Sequence, residues 1–364
     1  MIRVMSRKLN AIDLFAGAGG LSYGLSESGI KVLLANEIEN DFSKTYMLNH
    51  SKTEMLNCDI SKINFKKKIQ DLGCQNIDIL CGGPPCQGFS TVGKKDQGDR
   101  RNSLFWEFLR VVKETSPKVI LFENVSGFKT LYKGLAFSTL LSELKMMGFK
   151  TFHNVLDASD FGLPQRRLRT IIVGIMFDKA FQFPKLTHCN LDNLFGEKKL
   201  TLMDAISDLP NLKSGESKDF YSTKPNNNFQ KKMRGDQEIL TEHNATNYGE
   251  KMKKILSLIP KNGSVLNLPK ELRPKKYFNN VYARLDGEKI CPTITRNFGT
   301  PSSSRCIHPH QNRALSTREG ARLQSFPDNF RFFGSKTSKN LQIGNAVPPL
   351  LGKLLGKEIK KLFS

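Results

Sequence analysis

The sequence predicts an α/β fold: a doubly wound, mostly parallel sheet in one domain, with a second, smaller domain beside it. Three observations predict this. Short apolar runs alternate with helical patterns through the first half of the 364 residues. The alternation fades after about residue 180, and clear periodicity returns only from residue 317. Such alternation is typical of buried parallel strands whose connecting helices cover both faces of a sheet.

The predicted strands are apolar runs bounded by residues that favour turns, as expected for strands buried on both faces. A short third strand is expected to end at Asp59, in NCDI. The other runs are 11–15 (AIDLF), 31–36 (KVLLAN), 77–83 (IDILCGG), 118–125 (KVILFENV), 149–158 and 168–177.

The clearest helical patterns are 103–114 (SLFWEFLRVVKE), 135–148 and 348–363. The second ends in Gly148, a residue type that commonly terminates helices. Between 196 and 333 the chain is instead polar, basic and rich in turn-forming residues. We therefore predict one domain built from 1–195 plus 334–364 and a second domain over 196–333.

Charge is the strongest global signal. Lysine and arginine total 56 against 34 acidic residues, which gives a net charge of +22. This excess favours a polyanionic partner, most often nucleic acid, although a solvated basic surface is the alternative. The chain has no apolar run long enough to span a membrane and no apolar signal segment, so we expect a cytoplasmic protein. Its seven scattered cysteines argue against a disulfide framework or a structural metal.

A glycine-rich turn follows the first predicted strand. Gly17 and Gly19 would let the backbone turn sharply and approach a ligand, although such turns also occur for structural reasons alone. Ser22 stands where a dinucleotide-binding motif would have its third glycine. Glu37 and Asp59, at successive strand ends, could accept hydrogen bonds from ribose and adenine, although either acid alone is more often a cap or a solvated loop residue. The set predicts an adenosine site without a pyrophosphate cradle, which S-adenosylmethionine fits.

A thiol lies on a stiff loop after the strand at 77–83. Cys86 stands in GGPPCQGFS, where the prolines fix the backbone. A free cysteine often packs as a small apolar residue, but this setting favours a chemical role. Glu123 ends the next strand and is expected to face the same crevice; the alternative is a carboxylate that caps the following loop.

The segment PQRRLRT (164–170) precedes the last predicted strand. Extended alternation places Gln165, Arg167 and Arg169 on one face and Arg166 on the other. The alternative is that these arginines are surface charges. An acid, a thiol and cations that converge on one crevice would form a chemical set.

With these motifs assembled, the sequence resembles the DNA (cytosine-5) methyltransferase family of the bacterial restriction–modification type. The resemblance spans residues 11 to about 350. It is carried, in order, by DLFAGAGG, NE at 36–37, CDI at 58–60, GGPPCQGFS, ENV, QRRLR, RALSTREGARLQSFP and QIGNAVP.

The resemblance implies the fold of S-adenosylmethionine-dependent methyltransferases and a chemical mechanism. Cys86 would add to C6 of a flipped cytosine, Glu123 would hold or donate a proton at N3, and Arg167 would polarise the carbonyl oxygen. Gln165 and Arg169 complete the implied catalytic set. The loop 86–101 would close over DNA. The implied cofactor site comprises Phe15, Gly17, Gly19, Glu37, Asp59, Ile60, Leu104, Asn345 and Val347.

By the same resemblance, 196–333 would be a target-recognition domain that reads double-stranded DNA, and Arg318 and Arg322 would brace the hinge between domains. We expect a monomer associated with the nucleoid, with no obligate protein partner. Two alternatives remain: a tRNA (cytosine-5) methyltransferase on the same fold, and a non-catalytic DNA-binding regulator. That RNA branch carries a Cys-Phe-Thr signature, whereas Cys306 here precedes Ile307. The sequence does not give the DNA recognition site.

Overall fold

The computed structural model describes residues 8–85, 100–189, 196–302 and 305–364. The chain forms two compact units. The first comprises Met1–Asp157, Leu168–Lys185 and Pro349–Ser364, and the second comprises Ala158–Arg167 and Leu186–Pro348. Residues 158–167, 186–195 and 334–348, all within the first predicted domain, lie in the second compact unit. The functional division at 196–333 stays a prediction.

The first unit contains a seven-stranded sheet of order β3-β2-β1-β4-β5-β7-β6. Its strands are β1 (Asn10–Leu14), β2 (Lys31–Asn36), β3 (Glu54–Leu56), β4 (Ile79–Gly82), β5 (Val119–Val125), β6 (Lys150–Asp157) and β7 (Leu168–Ile175). Neighbouring strands from β3 to β5 pair in parallel, and β7 alone runs antiparallel to both of its neighbours. The mostly parallel α/β sheet that the sequence predicts is confirmed.

The third strand is shorter than predicted. It ends at Leu56, and Asp59 instead caps a 3₁₀ turn at Ile60–Lys62 by accepting from the backbone N–H of Ser61. The side chain of Asn36 explains the early end. Its amide donates to the carbonyls of Leu56 and Cys58, both at 2.9 Å. These side-chain bonds hold the segment after Leu56 to the end of β2 in place of backbone strand pairing.

Six α-helices among the described residues belong to the first unit. They are α1 (Gly20–Glu27), α2 (Asn40–Asn49), α3 (Phe65–Asp71), α4 (Arg100–Thr115), α5 (Leu135–Met146) and α11 (Pro349–Lys361). The apolar side chains of α3, α4 and α5 meet those of the central strands in one core, in which Phe108 and Phe122 pack edge to face. No helix in the described ranges is long and apolar enough to cross a membrane.

The last helix of the sequence lies in the first unit, whereas the predicted returning tail began at about residue 334. Helix α11 packs against α1 at glycine contacts: a Cβ on Gly24 would come within 2.2 Å of the Pro349 carbonyl, and one on Gly352 within 2.9 Å of the Leu21 carbonyl. Only glycine permits so close an approach of two helix backbones. Helix α11 is therefore part of the first unit's core.

The second unit contains short elements in long irregular segments. They are β8 (His188–Cys189), β9 (Glu197–Lys198), α6 (Leu202–Ile206), α7 (Asn228–Arg234), α8 (Glu250–Leu258), α9 (Thr317–Leu323) and α10 (Lys336–Asn345). Buried ion pairs join several of them. Arg322, fully buried, bonds to Asp208 and to both carboxylate oxygens of Asp328, at 2.9 and 2.6 Å.

Arg318 is equally buried and donates to the carbonyls of Thr241, Pro327 and Phe330. The hydrogen bonds described here for Arg318 and Arg322 all end within the second unit. These bonds brace that unit internally, which differs from the expected hinge between domains.

Candidate active site

The glycine turn and Glu37 form one hydrogen-bonded corner at the carboxyl ends of β1 and β2. Phe15, Gly17 and Gly19 all have positive φ, at 56°, 58° and 90°. The N–H of Gly17 donates to Glu37 Oε2 at 2.9 Å, and the N–H of Glu39 donates to Oε1 at 2.8 Å. Burial raises the pKa of Glu37. Each carboxylate oxygen retains acceptor capacity for a further donor such as a ribose hydroxyl.

The other predicted cofactor residues of the first unit differ in their exposure to solvent. Ile60 is buried, and Leu104 is half-buried against the core. Asp59 Oδ1 accepts from the N–H and hydroxyl of Ser61, at 3.0 and 2.8 Å. These contacts fix the Asp59 carboxylate on its turn.

A buried polar network lies under the glycine turn, and sequence reasoning missed it. Asp13, 1% exposed on β1, accepts from the hydroxyl of Ser22 at 2.6 Å. The Ser22 hydroxyl accepts from Tyr46 at 2.8 Å. Burial raises the pKa of Asp13 to about 7, although hydrogen bonds from Ser22 and Cys81 oppose the shift. An acid between apolar residues of a buried strand was the available signal.

Replacing Asp13 by asparagine should change how stability depends on pH. Since its pKa rises from 3.8 to about 7, the folded protein keeps a proton between these values that the unfolded chain loses. The stability that this proton contributes is fully present below pH 4 and is lost as the pH rises through 7. The free energy of unfolding of Asp13→Asn, relative to wild type, should therefore rise across this window by up to about 1.4 kcal/mol per pH unit. Urea denaturation at several pH values measures it, and a constant difference would contradict this account.

Gly17 and Gly19 offer a matched pair of substitutions. A Cβ on Gly19 would lie 2.4 Å from His50 Nε2 and 2.8 Å from Tyr46 Cδ2, whereas one on Gly17 would meet nothing within 4 Å. Gly17→Ala should cost only backbone strain, about 1–2 kcal/mol. Gly19→Ala adds steric overlap and should cost about 3 kcal/mol or more. Equal losses in denaturant unfolding would show that the turn is not packed on His50.

A carboxylate and a guanidinium meet where β5 ends and β7 begins. Arg169 Nε lies 2.7 Å from Glu123 Oε1, and the two side chains are 10% and 12% exposed. Gly83 and Pro84, which begin the loop that carries Cys86 in the sequence, lie next to this ion pair. A Cβ on Gly83 would come within 2.8 Å of Glu123 Oε2, and the Asn124 amide donates to the Pro84 carbonyl at 3.0 Å.

The other two predicted catalytic residues of the PQRRLRT segment, Gln165 and Arg167, are buried in the second unit. Gln165 donates to the Leu323 carbonyl at 3.0 Å and accepts from the N–H of Ile294 at 2.8 Å. Arg167, 1% exposed, donates to the carbonyls of Gly344 and Ala346, both at 2.8 Å. Arg166 is exposed. Burial thus alternates as the sequence suggested, with Arg166 exposed between buried neighbours, but the cation that pairs with Glu123 is Arg169.

Arg167 thereby holds the backbone on both sides of Asn345, whose side chain is exposed at the end of α10. Val347 follows and is half-buried. Both residues belong to the second unit, and their part in a cofactor site stays a prediction. Cys86 and the loop 86–99 lie outside the described residues.

The chain is similar to known proteins in both sequence and structure. The family model described as C-5 cytosine-specific DNA methylase matches residues 9–361. The type II methyltransferase M1.HphI of Haemophilus parahaemolyticus is 34% identical, over 97% of this chain and 87% of its own length. M.DdeI of Desulfomicrobium norvegicum is also 34% identical, over 98% of this chain and 89% of its own. A solved Escherichia coli prophage structure, titled as a candidate DNA modification methyltransferase, is 27% identical with a TM-score of 0.77, covering 98% of this chain and 99% of that one.

Proposed function

The chain belongs to the C-5 cytosine-specific DNA methylase family and is a DNA cytosine-5 methyltransferase of the type II restriction–modification kind, and we propose that it uses S-adenosylmethionine and a covalent Cys86 adduct. The observation that carries the mechanism is the Glu123–Arg169 pair at the carboxyl end of β5. The loop that bears the thiol begins against the same pair.

The residues at the glycine turn fit S-adenosylmethionine, which supplies an electrophilic methyl group. Open space beside Gly17 admits a ligand close to the backbone. Glu37 is fixed by two N–H donors with acceptor capacity left for a ribose. We assign Asp59 to the adenine amino group, Phe15, Ile60 and Leu104 to apolar contacts, and Asn345 and Val347 to closing the site.

The proton and thiol chemistry belongs to Glu123 and Cys86. Cys86 is two residues beyond Pro84, whose carbonyl accepts from Asn124, next to Glu123 in the chain. The thiolate bonds to C6 of cytosine while Glu123 donates a proton to N3, so the ring loses its aromaticity and C5 becomes nucleophilic. C5 then takes the methyl group. Transfer of the C5 proton to solvent expels the Cys86 thiolate, restores the C5–C6 double bond and lets N3 return its proton to Glu123.

We assign to Arg169 the electrostatic role that the family resemblance implies for Arg167. Its guanidinium fixes the orientation of the Glu123 carboxylate and leaves donors for the cytosine carbonyl oxygen. Arg167 is instead a positioning residue, because its guanidinium bonds to the backbone around Asn345. Gln165 acts in the same way through Leu323 and Ile294.

The target cytosine lies inside a duplex, so it must be flipped out, which costs a few kcal/mol. We propose that residues 196–333 read the bases and that lysines and arginines supply phosphate contacts, consistent with the net charge of +22. The loop 86–101 would close over the flipped base. Action as a monomer stays a prediction.

Transfer of a tritiated methyl group from S-adenosylmethionine to duplex DNA or to tRNA separates the candidate functions. We expect labelled duplex DNA and unlabelled tRNA. Label in tRNA alone would favour the RNA enzyme, and no label in either would favour a non-catalytic regulator. Bisulfite sequencing of DNA from a host that expresses the chain would then identify the methylated site.

A further inference from the structure

One surface of the second unit combines lysines with the most exposed large apolar side chain that the structure describes. Phe278 is 82% exposed and Leu266 is 49% exposed. Lys270, Lys275 and Lys276 are exposed in the same segment. We refer to residues 266–280 as the basic–aromatic segment. A single exposed ring is common on protein surfaces, but this one lies among exposed lysines, whose charge attracts a polyanion.

The basic–aromatic segment is held firmly from beneath. Arg273 donates to the carbonyls of Leu268 and Leu266, both at 2.8 Å. The N–H of Val281 donates to the Phe278 carbonyl at 3.0 Å, and the Val281 carbonyl accepts from Val265 at 2.9 Å. Val281 thus ties the chain next to Leu266 to the residue that bears the exposed ring.

A small apolar core supports these bonds. Leu268, Val265 and Val281 are buried in it together with Ile255 and Leu256 of α8. Leu272 and Tyr277 pack against the same cluster. The side chain of Phe278 is therefore exposed on a supported backbone, so little conformational entropy is lost when the surface binds a partner.

The charges of the segment select the partner. It carries Lys270, Arg273, Lys275 and Lys276 against one acid, Glu271. Lysines neutralise phosphates. An aromatic ring packs on bases where the bound protein has unstacked them or kinked the duplex. A protein partner would have to match both the ring and this positive charge, whereas duplex DNA offers phosphates and bases at once.

We propose that the basic–aromatic segment is a DNA-contacting surface, in which Phe278 packs against bases at the recognition site and Lys275 and Lys276 neutralise phosphates. The inference rests on the proposed function, since it names the part of the second unit that contacts the substrate. It assigns base contact to one exposed ring and phosphate contact to its two lysine neighbours.

Two variants of the full chain test it. Lys275→Gln/Lys276→Gln should bind a fluorescein-labelled mixed-sequence 30-base-pair duplex roughly tenfold more weakly, with the salt dependence of log K reduced by about 0.9 for each lysine. Phe278→Ala should keep that salt dependence but lower kcat/KM for methylation of plasmid DNA roughly tenfold. Bisulfite sequencing should show relaxed site preference in the Phe278 variant.

Matched controls isolate the surface. Phe220, 54% exposed in the same unit, is replaced by alanine, and Lys66 and Lys67, exposed on α3, are replaced by glutamine. Both controls should keep the DNA affinity and the kcat/KM of wild type, or lose far less of either than the Phe278 and double-lysine variants do. The inference fails if the Phe278 and double-lysine variants match wild type, or if each control loses as much as its counterpart. Failure of wild type to methylate plasmid DNA would instead overturn the proposed function.

Discussion

A Cys86→Ala variant will lose methyl transfer, by roughly a thousandfold or more, and will still bind S-adenosylmethionine. Carbon 5 of cytosine is a poor nucleophile while the ring is aromatic, and addition of a thiolate at C6 is what activates it. Alanine cannot form that bond, so the reaction loses its covalent route. Tritiated methyl transfer measures the rate, and calorimetry with the cofactor measures binding.

Cys81→Ala is the matched control for this variant. Cys81 lies on β4, five residues before Cys86, is fully buried and donates to the carbonyl of Ile12 at 3.3 Å. Its loss should cost some stability but leave catalysis in the folded protein largely unchanged. Methylation by Cys86→Ala at a rate close to that of Cys81→Ala would remove the thiol from the mechanism.

Glu123→Gln should lower kcat by about 10² to 10⁴ with little change in affinity for the cofactor. Glutamine keeps the shape of glutamate but cannot deliver a proton to N3, and it removes the charge that pairs with Arg169. Single-turnover methylation with saturating DNA measures the chemical step separately from binding and product release.

Glu54→Gln provides the comparison. Glu54 is also a glutamate of the sheet in an ion pair, with Lys68 at 2.9 Å, but both side chains are more than a third exposed. Exposed pairs contribute little, so this variant should retain wild-type kcat. If Glu123→Gln were no slower than Glu54→Gln, the assignment of Glu123 as the proton donor would be wrong.

The sheet could be predicted from the sequence because buried strands are continuous apolar runs. Residues 31–36 are a strand with the predicted bounds, and 118–125 differs by one residue. The segment before Asp59 lacks such a run, and side-chain bonds from Asn36 end β3 at Leu56. Side-chain bonds between distant residues leave no periodic signal, so the early end could not be foreseen.

The site was predictable in its residue types but not in its pairing. Alternation distinguished the exposed Arg166 from the buried Arg167 and Arg169. It could not show that Arg167 would bond to carbonyls 177 and 179 residues later, which leaves Arg169 as the partner of Glu123. Asp13 was missed because its neighbours on β1 are apolar and its hydrogen bonds come from elsewhere in the chain.

Covalent trapping tests the central claim most directly. Duplex DNA with 5-fluorocytosine at the methylated position, once bisulfite sequencing has identified it, is incubated with the protein and S-adenosylmethionine. Fluorine cannot leave C5 as a proton does, so elimination should stall after methyl transfer with the thiol still bonded to C6. We predict a complex that survives denaturing electrophoresis, maps by peptide analysis to Cys86, persists in Cys81→Ala and is absent in Cys86→Ala. A crosslink at any other residue, or no crosslink from protein that methylates the unmodified duplex, would contradict the account.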